Sequence, residues 1–219
     1  MKIAGKNLNL EKSIGILKKY KIPVAKSGLA KSVYQAVNIA KLLGYPVALK
    51  AVSSSISHKT DVGGVVLDLN NENELKEAHK GMVKNLRKRF GHIKIEGILV
   101  QRMVKSGQEV IIGGRKDEQF GHVIMFGLGG IFTEIFNDVS FRVTPITKDD
   151  AKSMIKETKG YKILEGYRDK KYNIKSLVEI LLKVSKLLKE NPKIKEMDIN
   201  PLILLPRSAV AVDVRITID

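Results

Sequence analysis

Near the C-terminus, Asn200 and Asp213 have the residue types and the spacing to hold a hard metal ion. Side chains alternate between faces along an extended strand, so Glu196, Asp198 and Asn200 share one face and Met197 and Ile199 take the other. On the next strand, Asp213 and Arg215 lie opposite Val212, Val214 and Ile216. A hairpin turning at Pro206-Arg207 places Asn200 across from Asp213, and Asp198 across from Arg215. Directly opposed side chains have Cβ atoms roughly 4.5–5.5 Å apart. Two oxygens then converge on one Mg2+ at about 2.1 Å and leave positions for phosphate and water. The competing reading is a solvated polar face on an edge hairpin. A register slip of one residue would carry Asp213 to the other face.

Lys50 interrupts the apolar run Val47-Ala-Leu-Lys50-Ala-Val52. A lysine in such a strand costs free energy unless an anion partners it, and a phosphate oxygen is one such anion. On an edge strand the same lysine would instead extend its ammonium to water. The run leads into Ser57-His-Lys-Thr-Asp-Val-Gly63-Gly64, where glycines let backbone amides approach a phosphate. This is not a P-loop, because Gly-x4-Gly-Lys-Ser/Thr occurs nowhere in the chain. Gly127-Leu-Gly129-Gly130 fails the Gly-x-Gly-x-x-Gly pattern, with Phe132 in the last place. It does precede a predicted short helix ending near Asn137, and a helix N-terminus favours an anion. His58, on its glycine-flanked loop, can accept a phosphoryl group as a nucleophile. Taken alone, it reads better as an exposed loop histidine without a role. His79, His92 and His122 read as structural or merely exposed.

These residues need elements to position them. Leu10, Ile14, Leu17 and Tyr20 share a helix face, which predicts a helix over 8–20. Ser32 as N-cap and Gly44 as stop bracket a second helix. Strands are predicted over 46–52 and 65–69, and an amphipathic helix over 71–90 with Leu75, Ala78, Met82 and Leu86 inward. Further strands fall at 97–104, 109–115, 122–126 and 141–146, and helices at 149–158 and 174–190. The hairpin of 194–204 and 209–218 closes the chain.

The chain has 219 residues and no cysteine, which excludes disulfides and thiolate chemistry and fits a cytoplasmic protein. No apolar run reaches the roughly 18 residues of a membrane span. The net charge of +16 suggests a polyanionic partner. The charges are spread along the chain, though, and aromatics are only 5%, which disfavours base-stacking nucleic-acid recognition.

Together these motifs resemble, over nearly the whole chain, the ATP-grasp nucleotide-binding subunit of ADP-forming acetyl-CoA (acyl-CoA) synthetases. The resemblance is carried by Pro46-Val-Ala-Leu-Lys50, Ser57-His-Lys-Thr-Asp-Val-Gly-Gly64 and Val100-Gln-Arg-Met-Val104. It continues in Glu109-Val-Ile-Ile-Gly113, Phe126-Gly-Leu-Gly-Gly-Ile-Phe132 and Met197-Asp-Ile-Asn-Pro-Leu202. It implies an α+β, two-lobed ATP-grasp fold with nucleotide between the lobes. The polar stretch Gly91 to Glu96 is read as the boundary between the lobes, which gives a helical segment 1–20, subdomain A 21–94 and subdomain B 95–219. The resemblance also implies the reaction acyl-CoA + ADP + phosphate = acid + CoA + ATP, with Mg2+ as cofactor and ATP/ADP as substrate.

Carried over residue by residue, Lys50, Gly63 and Gly64 would hold nucleotide phosphates. Gln101, Arg102, Met103 and Val104 would form the adenine hinge, largely through backbone groups. Glu109 would bind ribose or orient the nucleotide. Asn200 and Asp213 would bind magnesium, and Asp198 would orient a phosphohistidine or support the metal. Gly129 and Gly130 would cradle the phosphoryl group, and His58 would be a second phosphohistidine. Succinyl-CoA synthetases lack a histidine there, so His58 points to the acyl-CoA synthetase branch. The implied partner is a CoA-binding alpha subunit carrying the first phosphohistidine, without which the chain is expected to be inactive. Two other readings remain open: a different ATP-grasp ligase that forms an acyl-phosphate directly, and a basic nucleic-acid-binding module.

Overall fold

The computed structural model describes residues 5–53, 62–91, 95–104, 106–130, 137–166 and 171–219. His58 and the helix expected after Gly130 lie outside them. The chain divides into two compact units. One comprises Ala25–Met103 with Asn9–Glu11; the other comprises Met1–Leu8, Lys12–Val24 and Val104–Asp219. The first described elements are β1 (Lys6–Asn7) and α1 (Leu10–Lys19).

The unit of residues 25–103 contains β2 (Ser27–Ala30), α2 (Val33–Leu43), β3 (Val47–Val52), β4 (Val65–Leu69), α3 (Glu72–Phe90) and β5 (Gly97–Arg102). Its strands run in the order β2-β5-β3-β4. α2 starts where the Ser32 hydroxyl accepts the Gln35 amide at 3.2 Å, and it stops at Gly44, whose φ of +79° suits glycine. α3 starts at Asn71, whose side chain accepts the Glu74 amide at 3.0 Å, and it ends in Arg87, Lys88 and Arg89, favourable to the helix dipole. Leu75, Met82 and Leu86 of α3 pack with Ala36, Val37 and Ala40 of α2 on one face of the sheet, against Val47, Leu49, Ala51, Ile98 and Val100. Each fully buried leucine or valine contributes about 1.5–3 kcal/mol. The sequence-based division at 94/95 differs from this unit, because β5 pairs with both β2 and β3.

The other unit contains β6 (Gln108–Asp117), β7 (Gly121–Leu128), β8 (Val139–Val143), α4 (Lys148–Glu157), α5 (Tyr161–Gly166), α6 (Ile174–Glu190), β9 (Ile194–Leu204), β10 (Ala209–Ala211) and β11 (Arg215–Ile218). Its sheet runs β1-β11-β9-β6-β7-β8, with β10 also on β9. α6 presents Leu177, Leu181, Val184 and Leu188 as a buried stripe. It lies directly on the sheet: a Cβ at Gly114 would come within 2.6 Å of Leu188 Cδ1. α4 begins with a reciprocal cap between Thr147 and Asp150. The buried Asp138 carboxylate accepts the Lys159 and Gly160 amides at 2.7 and 2.8 Å, fixing the turn between α4 and α5. The final strand expected over 209–218 is two strands, since residues 212–214 leave the ladder. α5 was not expected at all.

Candidate phosphoryl-transfer site

The sheet of residues 104–219 has one face under α6 and one open face. β9 pairs Asp198 with Arg215, Met197 with Ile216 and Leu204 with Ala209, the register expected for a turn at Pro206-Arg207. On its other side β9 pairs Asp198 with Gly113, which pairs with Met125, which pairs with Phe141. A cross-strand row therefore reads Arg215, Asp198, Gly113, Met125, Phe141. It floors a groove of about 1270 Å³ that also takes in Asn200 and Arg115. Gly113 keeps the floor low beside Asp198.

Asn200 sits where the β6–β9 register shifts, between the pairs Val110–Leu202 and Ile112–Ile199. Pro201 has no N–H to offer the ladder at this point, and such a bulge re-aims the neighbouring side chain. The Asn200 amide donates to the Asp213 carbonyl at 3.2 Å, and Val212 donates to the Pro201 carbonyl at 3.0 Å. Asn200 is therefore opposite Asp213 even though the strand is interrupted there. The Asp213 carboxylate accepts the Val214 amide at 2.9 Å through Oδ1. Burial pushes the Asp198 carboxyl above the usual carboxylate range. Arg215 pulls it down, while Asp213 and Glu196 push it further up. An excess of oxygen donors and negative charge at one end of a groove suits a hard divalent cation. Asn200 and the two aspartates fit Mg2+ by donor type. No cluster of three or more His, Cys, Asp or Glu able to hold a metal occurs among the described residues, so a metal here relies on the Asn200 amide.

Glu109 and Gly129 are neighbours. The Gly129 amide donates to the Glu109 carbonyl at 2.8 Å, and a Cβ on Gly129 would come within 2.8 Å of the Glu109 Cβ. Only glycine permits that approach, and Gly130 follows with φ +66°. The Glu109 side chain is exposed.

In the unit of residues 25–103, Lys50 is 4% exposed, and β3 lies between β5 and β4. This overturns the edge-strand reading of Lys50, since an interior strand gives the ammonium no short path to water. Val47, Leu49 and Ala51 pack under the helices, so Lys50 points from the other face of the sheet. Gln101, also buried, shares that face. The amides of Arg102 and Met103 are used within the fold, donating to the carbonyls of Lys26 and Pro46 at 2.9 and 3.1 Å. A backbone hinge at 101–104 is thereby reduced to its carbonyls and the Val104 amide. Gly63 has φ +69°, and the Gly64 carbonyl accepts the Ala51 amide at 2.8 Å, tying the glycine pair to β3. His122 is buried, its Nε2 2.6 Å from the Ile194 carbonyl, a structural contact.

The sequence reading did not single out Gly113 or Arg115, and it gave Arg215 no role beyond pairing. The available signal was the alternation on β6: Ile111, Gly113 and Arg115 occupy the open face, while Ile112 and Gly114 pack inward.

The chain is similar to several known proteins. Residues 2–218 match the ATP-grasp domain family. The beta subunit of acetate–CoA ligase (ADP-forming) I from Pyrococcus furiosus is 48% identical over 201 residues, covering 91% of this chain and 87% of that one. Acetate–CoA ligase (ADP-forming) I from Archaeoglobus fulgidus is 44% identical over 204 residues, covering 93% of this chain but only 30% of that longer protein. Among solved structures, acetyl-coenzyme A synthetase 1 from Ca. Korarchaeum cryptofilum, in complex with coenzyme A, Ca-AMPCP and HgCl+, superposes with a TM-score of 0.94 at 43% identity, covering 98% of this chain and 94% of that one. The same enzyme with coenzyme A and Mg-AMPPCP, its phosphohistidine segment pointing towards the nucleotide-binding site, gives 0.85 at 40% identity, covering 98% and 93%.

Proposed function

Since the chain belongs to the family of ATP-grasp beta subunits of ADP-forming acetate–CoA ligases, with its α+β ATP-grasp fold, we propose that it is the nucleotide-binding subunit of such an acid–CoA ligase. The reaction is acyl-CoA + ADP + phosphate = acid + CoA + ATP. The chain matches the free-standing Pyrococcus beta subunit across most of its length and under a third of the single-chain Archaeoglobus enzyme. In this reading the partner is a CoA-binding alpha subunit, as the beta-subunit relative is one part of a two-subunit ligase, and the complex is cytoplasmic.

One observation of this chain carries the reading: Asn200 is held opposite Asp213, next to Asp198, at the margin of an open groove. In this reading Asn200 and Asp213 hold Mg2+, which when bound neutralises phosphate charge. Asp198 orients the phosphohistidine. Lys50, Gly63 and Gly64 contact nucleotide phosphates, and residues Gln101 to Val104 meet the adenine. Glu109 meets the ribose, and Gly129 and Gly130 meet the phosphoryl group. His58 accepts the phosphoryl group from the partner and passes it to ADP. A neutral imidazole nitrogen is the acceptor in such a transfer. Phosphoryl transfer depends on positioning and charge neutralisation rather than on covalent help from many groups.

The test is His58→Ala in the complex reconstituted with the CoA-binding subunit. Net ATP synthesis should vanish while ADP binding persists. Full synthesis in that variant would remove the relay and favour a ligase that forms acyl-phosphate directly.

A further inference from the structure

We propose that Arg215 is a further catalytic residue, its guanidinium gripping the phosphoryl group during transfer at the Asp198 end of the groove. The inference rests on the reading of the chain as a phosphoryl-relaying ATP-grasp subunit.

Three observations carry it. Arg215 is directly across β11–β9 from Asp198, on the same open face, and both line the groove. Its charge is felt at Asp198, yet among the described residues no carboxylate lies within the 4.0 Å of a salt bridge to it. Among the described residues the cation thus stands beside a carboxylate without closing on it. On the far side of Asp198 the row continues into Gly113, Met125 and a 54%-exposed Phe141. This leaves room and an apolar wall there, and no second cation in that row.

A phosphoryl group entering this end meets the carboxyl groups of Glu196, Asp198 and Asp213. During transfer its charge spreads over three equatorial oxygens, so a cation is needed among these carboxyl groups. Of the residues in the Asp198 row, only Arg215 can supply it, and guanidinium matches two phosphoryl oxygens at once. In the step, a terminal β-phosphate oxygen of ADP forms the new P–O bond as the P–N bond of the phosphohistidine breaks. The electron pair of that bond returns to the imidazole nitrogen, which takes one proton from water. The competing role is a purely structural ion pair that steadies Asp198.

The experiment uses the reconstituted complex, phosphorylated with radiolabelled ATP and then discharged by ADP in a single turnover. Discharge rate, ADP affinity and Tm are compared for wild type, Arg215→Ala and Arg215→Lys. Removing one preorganised charge-stabilising donor lowers a rate by about 10²–10³-fold. Arg215→Ala should lose that much in discharge while ADP affinity and Tm stay close to wild type, and Arg215→Lys should recover part of the rate. A discharge rate within about threefold of wild type, or a loss that tracks ADP affinity or Tm, would overturn the proposal. If wild type forms no acid-labile, base-stable phosphate at all, the parent reading fails, and this inference fails with it.

Discussion

Asp198, Asn200, Asp213 and Arg215 are held in place by hairpin register, so single substitutions can separate their roles. Asp213→Asn keeps the size of the side chain and the hydrogen bond to Val214 but removes a charge. The Mg2+ concentration needed for half-maximal nucleotide binding should rise by about 10–100-fold. Titration calorimetry at varied Mg2+ checks this, and an unchanged Mg2+ dependence would remove Asp213 from the metal. Lys50→Met tests the other unit. Charge-assisted hydrogen bonds contribute about 1.5–3 kcal/mol, so ADP affinity should fall by at least about tenfold. Equal affinity would make Lys50 a structural cation. The sequence revealed the carboxylate and amide positions, because alternation and a proline turn are local properties. It could not distinguish an interior Lys50 from an edge Lys50, since strand order is set by pairings distant in the chain.

At the level of elements, most helices were legible from caps and periodicity. Ser32 and Gly44 bracket α2, and Asn71 opens α3. α5 was missed because the six residues Tyr161–Gly166 are too few to show a helical period. The break between β10 and β11 was missed because it answers the bulge at Asn200-Pro201 on the partner strand. The boundary expected at 94/95 followed a polar stretch, but β5 belongs to the sheet it pairs with. Two predictions belong here. Asp138→Ala leaves the buried Gly160 amide without its acceptor, at about 1–3 kcal/mol, and the part-buried Lys159 amide at less. The urea midpoint should drop accordingly, and an unchanged midpoint would contradict the capping role. Glu72 joins α3 to α2 through Lys41 at 2.8 Å and pairs within α3 with Lys76 at 2.6 Å, and these partners lower its pKa from 4.5 to about 2. A depressed carboxyl pKa adds stability that is complete above pH 4.5 and is lost as pH falls towards 2. The Tm advantage of wild type over Glu72→Gln should therefore be constant near neutrality and close across that window. A gap independent of pH would show that the ion pair contributes nothing.

For the whole molecule, the question is what a nucleotide-binding subunit can do by itself. The Pyrococcus relative is one subunit of a larger enzyme, and the Archaeoglobus relative carries the matching region within a single longer chain. The net charge of +16 does not by itself distinguish a nucleotide from a nucleic acid; the family match does. The most direct test is acyl-CoA-dependent formation of ATP from ADP and phosphate. It should be measured for this chain alone, for a CoA-binding subunit alone and for the two together. The account predicts no ATP from either component and sustained synthesis from the mixture, accompanied by acid-labile, base-stable phosphate on protein. ATP formation by this chain alone, or a mixture that binds nucleotide and Mg2+ yet makes no ATP, would contradict it.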